Sequence, residues 1–291
     1  MRLCVGAGSR RIVEEAAKLR VAQIVASRRQ VDIGGGYIGL DQSGLVGLVR
    51  ELSDGHTRVV RDHGGPLQGG TTDNGLASFD ADVAAGFDVL HLDVSALPKI
   101  RQSRALLVLI KRYDSQIDFE IGGERDDQEW LTDLTHDVFE AGCALPESVV
   151  IEAGGHIWAD RQCGFFQPPE KIKATTDWFH EHGIKVKAHN MDWAGCRNQY
   201  AGVLDYYNIA PEFSDIEVRA ILTVLDHDVA MSVLEQAYES MKWTRWFNED
   251  EGTWLERACC AVRYGMDELP ELTPSQEAFV RSQIYAAIKR G

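Results

Sequence analysis

The sequence predicts an α/β fold, a parallel (β/α)8 TIM barrel with a C-terminal helical extension. Three observations carry the prediction: eight short apolar runs rich in Val, Ile and aromatics, helically spaced segments between them, and polar residues where the runs end. Alternating strand and helix selects a parallel sheet with helical crossovers, and eight repeats close such a sheet into a barrel. The 291 residues suffice, because barrels of about 250 residues fold as one domain.

The runs lie near residues 2–6, 21–26, 57–61, 87–93, 117–121, 149–153, 184–188 and 206–210. Helical spacing fills 9–19, 41–53, 74–85, 96–114, 127–142, 168–182 and 193–203. Residues 1–213 therefore carry the strands and the active-site face, and 214–291 hold the last barrel helix and the extension within the same domain. In that extension Thr273-Pro274-Ser275-Gln276 reads as N-cap, first-turn proline and capping-box glutamine of a final helix. Trp243, Trp246, Phe247 and Trp254 suit either packing under the barrel or a subunit interface, here an expected homo-oligomer. A doubly wound sheet would want three glycines after the first strand, and Gly6-Ala7-Gly8-Ser9-Arg10-Arg11 offers two of them. Gly36, in the Gly34-Gly35-Gly36 run after the second strand, can instead bring backbone close to a substrate.

A net charge of -15 argues against a nucleic-acid partner, whose phosphates demand excess Lys and Arg. An anionic substrate would need a local cationic cluster, for which Arg61, Arg125, Lys187 and Arg197 are candidates. The six cysteines show no CxxC spacing, and Cys259 and Cys260 are adjacent, which fits a reducing compartment. No apolar stretch approaches the roughly 20 residues of a membrane span, and Met1-Arg2-Leu3-Cys4 runs into a strand without a signal-peptide core. The expectation is a cytoplasmic protein with no membrane partner.

Catalytic side chains of this architecture sit at the C-terminal strand ends. Three histidines meet that condition: His63 after the third run, His156 beyond the sixth and His189 after the seventh. A divalent metal that polarises a carbonyl or a water needs three protein ligands and an open position, and imidazole suits Zn²⁺. One histidine at a strand end is ordinarily just hydrogen-bonded or exposed; three on a common face make a metal site a competing reading. Glu152 can replace His156, since Gly154-Gly155 loosens the register. Asp62, beside His63, suits proton transfer, while Asp93 and Glu124 can orient hydroxyls or ligate the metal. Asp62 and Asp93 also suit turn caps, and Glu124 opens a solvated charge run. Arg61, Asn190, Asp192, Arg197 and Asn208 complete the expected substrate-binding set with Gly36.

In order along the chain, Gly35-Gly36-Tyr37-Ile38-Gly39, Asp62-His63-Gly64-Gly65-Pro66, His91-Leu92-Asp93-Val94-Ser95, Ile121-Gly122-Gly123-Glu124, Ala188-His189-Asn190-Met191-Asp192 and Ile209-Ala210-Pro211-Glu212 resemble the non-catalytic subunit of class II D-tagatose-1,6-bisphosphate aldolase. The resemblance covers most of residues 20–225 and extends to the zinc-dependent class II aldolases. It implies His63 and His189 as metal ligands, Asp62 as the proton-transfer carboxylate and His156 near the middle zinc histidine. It also departs from the aldolases, which follow the last histidine with a glycine-serine phosphate turn where this chain has Asn190-Met191-Asp192-Trp193. The expected activity is metal-dependent aldol or retro-aldol chemistry on a sugar or sugar phosphate. The alternatives are a C4 epimerase using the same chemistry and a non-catalytic partner of a separate aldolase subunit.

Overall fold

The apolar runs become strands close to their expected starts: β1 (Arg2–Gly6), β2 (Gln23–Ser27), β3 (Arg58–Gly64), β4 (Val89–Leu92), β5 (Asp118–Gly122), β6 (Ser148–Glu152), β7 (Lys185–His189) and β8 (Tyr206–Ile209). The computed structural model describes residues 1–123, 128–153, 167–192, 197–245, 253–263 and 269–291. Every strand pairs in parallel with the next, and β8 closes on β1, so the sheet is an eight-stranded barrel. Helices α1 (Arg10–Lys18), α2 (Gln42–Ser53), α3 (Leu76–Ala85), α4 (Lys99–Tyr113), α5 (Gln128–Glu140) and α6 (Pro169–Glu181) lie between successive strands, and α7 (Pro211–Val224) follows β8. The seventh crossover differs from the helix expected over 193–203. Among the described residues it holds one 3-10 turn, Arg197–Tyr200, and Gly202 beyond it takes a left-handed φ of 83°.

Strand register sorts the side chains, because alternate residues point to opposite faces. Val25, Val60 and Val89 are in register across β2, β3 and β4, and with Cys4 and Tyr206 they form a small apolar layer. Toward the strand ends the same alternation supplies Asp62, His91, Glu120, Glu152, Lys187, His189 and Asn208. The opposite face, with Leu90, Ile121, Val149, Ile151, Val186, Ala188 and Ile209, belongs to the main core shared with the helices.

Arg61 falls on that outer face, which corrects its expected role in substrate binding. It is fully buried, pairs with Asp82 of α3, and donates to the carbonyls of Ala26 and Val31. Its position one residue before Asp62 in the strand is what sends it away from the barrel axis.

The C-terminal extension is partly structural. Helices α8 (His227–Glu239) and α9 (Trp254–Arg263) pack with α7 around Val218, Leu234, Ala258 and Val262. Helix α10 (Pro274–Arg290) lies against α1 and α7 and buries Val280, Ile284 and Ile288 in the main core. Each such aliphatic side chain stabilises the fold by about 1.5–3 kcal/mol. The helix opens as its sequence predicts, with Thr273 and Gln276 forming a reciprocal capping box. Trp254 is partly exposed; Trp246, Phe247 and the Trp243 side chain lie outside the described residues. Among the described residues no helix is long and apolar enough to cross a membrane.

Candidate metal centre

At the mouth of the barrel three imidazoles surround one carboxylate oxygen. Asp62 Oδ1 lies 3.7 Å from His63 Nε2, 3.7 Å from His91 Nδ1 and 3.6 Å from His189 Nε2. These separations exceed hydrogen-bond length. Asp62 Oδ1 and His189 Nε2 are buried and have no hydrogen-bond partner. A buried polar atom left in this state costs about 1–3 kcal/mol, so the cluster calls for a positive centre between the groups.

Two backbone devices assemble it. Asp62 points inward by strand alternation, in register with Ser27, and His63 would then point outward. The β3–β4 register shifts between Arg61 and Gly64, and His63 takes a left-handed φ of 41°. The irregularity re-aims His63 so that two adjacent residues serve one site, a common use of a bulge. On β7 His189 is in register with Glu152 of β6, and Asn190 beyond it is also left-handed, at φ 57°. Asn190 donates from Nδ2 to Glu152 Oε1 at 2.6 Å. Gly65, at φ 127°, lets the chain pass Asp93, whose carbonyl oxygen would sit 2.6 Å from a Cβ there.

Asp93, expected to orient hydroxyls or ligate a metal, lies against His63. Its Oδ1 accepts from Ser95 N at 2.8 Å and its Oδ2 lies 2.7 Å from His63 Nδ1. An ionised carboxylate can only accept, so Nδ1 of His63 carries the proton and Nε2 turns its lone pair toward Asp62 and His189. Carboxylate–imidazole pairs of this kind orient metal-binding histidines. Burial alone would raise the Asp93 carboxyl, but the His63 hydrogen bond and the neighbouring imidazoles outweigh it and hold the pKa below the usual range. Asp62 behaves alike: burial is outweighed by His63, His189 and His91, and it stays ionised. Burial instead lowers His189 to about 3, leaving a neutral imidazole available as a ligand near neutral pH.

His91 is the residue that carries no role in the sequence-based expectations. It is fully buried, accepts from the His63 backbone N–H at Nδ1, and leaves Nε2 without a hydrogen-bond partner. Its signal in the sequence is parity: in Val89-Leu90-His91 it shares the inward face with Val89. Below it, Lys187 Nζ lies 2.6 and 2.9 Å from the two oxygens of Glu120, both residues fully buried. Ser148 Oγ donates to the same carboxylate.

Three of the four expected cations are thus committed within the protein: Arg61 to Asp82, Lys187 to Glu120, and Arg197 to Glu212 at 2.6 Å and to the Met191 carbonyl. Asp192 accepts at Oδ1 from the N–H groups of Ala210 and Glu212. Gly36 lies in the β2–α2 loop, where a Cβ would collide with the Gln30 carbonyl oxygen at 2.0 Å, a packing reason for the glycine. Asn208 projects inward on β8 with its Oδ1 buried and without a hydrogen-bond partner. His156, Glu124 and Arg125 lie outside the described residues.

Two groups meet the spacing of metal ligands, Asp62 with His63 and His189, and His63 with His91 and Asp93. In the first, both Nε2 atoms lie within 3.7 Å of Asp62 Oδ1; in the second, Asp93 already engages His63 through Nδ1. The donor set of imidazole nitrogen and carboxylate oxygen fits Zn²⁺.

No family model matches the chain, and no curated protein matches it in sequence. Solved structures share its fold. A probable tagatose 6 phosphate kinase from Sinorhizobium meliloti 1021 aligns over 100% of this chain and 87% of its own, with 20% identity and a TM-score of 0.67. The fructuronate-tagaturonate epimerase UxaE from Cohnella laeviribosi aligns over 99% and 79%, with 11% identity and a TM-score of 0.66. The YdjI aldolase from Escherichia coli K12 aligns over 99% and 90%, with 11% identity and a TM-score of 0.52.

Proposed function

We infer that this chain is a metal-dependent enzyme of the class II aldolase type, acting on a sugar or sugar phosphate by cleaving or forming a C–C bond. The observation that carries the reading is the buried Asp62 oxygen held 3.6–3.7 Å from three imidazole nitrogens. His63 and His189 would hold the metal, with His156 as the third ligand and Glu152 as its substitute. A bound Zn²⁺ would polarise the substrate carbonyl. The chain's own residues do the rest. Asp62 is ionised and adjacent to that position, so it accepts the hydroxyl proton as the C–C bond breaks and returns it in the reverse direction. Asp93 keeps His63 in the required tautomer, and Asn208 and Asn190 present amides to substrate hydroxyls; Glu124 would add a carboxylate on the β5 side. Supporting the reading, the fold is shared with the YdjI aldolase and with the fructuronate-tagaturonate epimerase UxaE.

The epimerase alternative uses these groups in the same order but keeps both fragments bound until the bond re-forms. Metal analysis of the purified chain, followed by NMR of its product mixtures, tests the proposal. Expected are bound zinc, its loss in His63→Ala and His189→Ala, and two fragments from one sugar. A single isomeric sugar as product would make the enzyme an epimerase. A chain indifferent to Zn²⁺ and to chelator would be a scaffold, and the enzymatic reading would fall.

A further inference from the structure

In this barrel one place that commonly holds an anion is already filled by a side chain of the protein. The N-terminus of α7, after β8, faces the barrel mouth beside the end of β7, and amides at such a helix start attract phosphate in many barrels. Its available donors are few, because Pro211 in the first turn has no N–H. The N–H groups on either side, of Ala210 and Glu212, both point to Asp192 Oδ1 at 3.0 and 2.8 Å. Asp192 is 1% exposed, so its oxygen sits inside the slot and not at its rim. The adjacent charges are closed off too. Glu212 Oε2 lies 2.6 Å from Arg197, and Arg197 also donates to the Met191 carbonyl, so the cation nearest the slot is engaged from two sides. Beside this sealed corner, the buried Asn208 Oδ1 is an acceptor with no hydrogen-bond partner, which suits a hydroxyl donor.

We propose that Asp192 is a specificity-determining residue, an internal stand-in for a phosphate, and that the substrate end meeting β7 and β8 carries neutral hydroxyls. The proposal rests on the reading of the site as a sugar-converting centre, and deepens it by excluding a phosphate at one end of the substrate. Ionised or protonated, the Asp192 oxygen accepts both amides, so exclusion comes first from occupancy. A phosphate would have to displace a buried carboxyl and would then meet Glu212.

The test reads the slot separately from the metal. Inorganic phosphate is titrated against the zinc-free full chain by ³¹P NMR, for the native protein and for Asp192→Ala, Asp192→Ser and Asp192→Asn, with circular dichroism confirming the fold of each. The native protein and Asp192→Asn, which keeps an oxygen in the slot, should bind phosphate at least tenfold more weakly than Asp192→Ala. If the alanine variant does not fold, Asp192→Ser, whose shorter hydroxyl leaves room, should show the gain instead. Native protein that binds phosphate as well as a folded opened variant overturns the proposal, as does a folded opened variant that gains nothing. On the zinc-loaded native chain, dihydroxyacetone phosphate should bind no tighter than dihydroxyacetone; a tenfold preference for the phosphate also overturns it. Failure to load zinc would defeat the enzymatic reading while leaving the phosphate result intact.

Discussion

Neighbouring strand residues normally face opposite ways, so the convergence of Asp62 and His63 on one point rests on the left-handed turn at His63. Asp93 then fixes the ring. Asp93→Asn should weaken zinc binding by roughly 10- to 100-fold, as loss of an outer carboxylate partner typically does, measured by competition with a chromophoric chelator. Secondary structure should be unchanged, because Asp93 lies beyond the end of β4. Asp192 offers a different handle. Burial pushes its carboxyl up to about 7 from 3.8. Between those values the native state holds a proton that the unfolded chain has released, so stability falls as pH rises from about 4 to about 7 and levels off above. Urea unfolding across that range should show the decline in the native protein and a shallower one in Asp192→Asn. At this scale the sequence discloses residue types at strand ends but not their direction. His63 and His189 are legible from position, whereas His91 emerges only when parity is known, and the second role of Asp93 only when its distance to His63 is.

Elements were the most legible level, for a physical reason: β-branched runs and helical spacing are local, and Thr273 to Gln276 is a self-contained cap. What local sequence does not disclose is non-local. The bulge in β3 depends on pairing with β4, and the inside or outside position of Arg61 depends on the register that pairing imposes. The Arg61–Asp82 pair that joins β3 to α3 is fully buried at both ends. Arg61→Met strands the Asp82 carboxylate in the core, and the loss should be about 3–5 kcal/mol by denaturant unfolding. Adding Asp82→Leu should recover most of it, since two apolar groups leave no buried charge without a partner. Recovery would support Arg61 as the residue that holds the helix to the barrel.

For the whole molecule, the site draws on strands far apart in the chain, β3 and β7, so a metal held there would tie the two sides of the barrel together. Zinc at a hundredfold excess over its Kd should stabilise the native state by about 2.7 kcal/mol, a rise in Tm of about 5 °C that a chelator reverses. Scanning calorimetry of His63→Ala should show neither shift. Barrel closure itself follows from counting, because eight alternating runs leave few other topologies, while of the cations expected for an anionic substrate the three among the described residues, Arg61, Lys187 and Arg197, each pair with an acid within the fold. The Glu120–Lys187 pair has one further consequence. Set beside His91, whose Nδ1 lies 3.9 Å from Glu120 Oε1, the pair forms a charged patch sealed from water on the inward face of the barrel. If the chain converts a sugar as proposed, a substrate could reach deeper than this patch only by breaking the ion pair, so extra length would be taken up toward the strand ends.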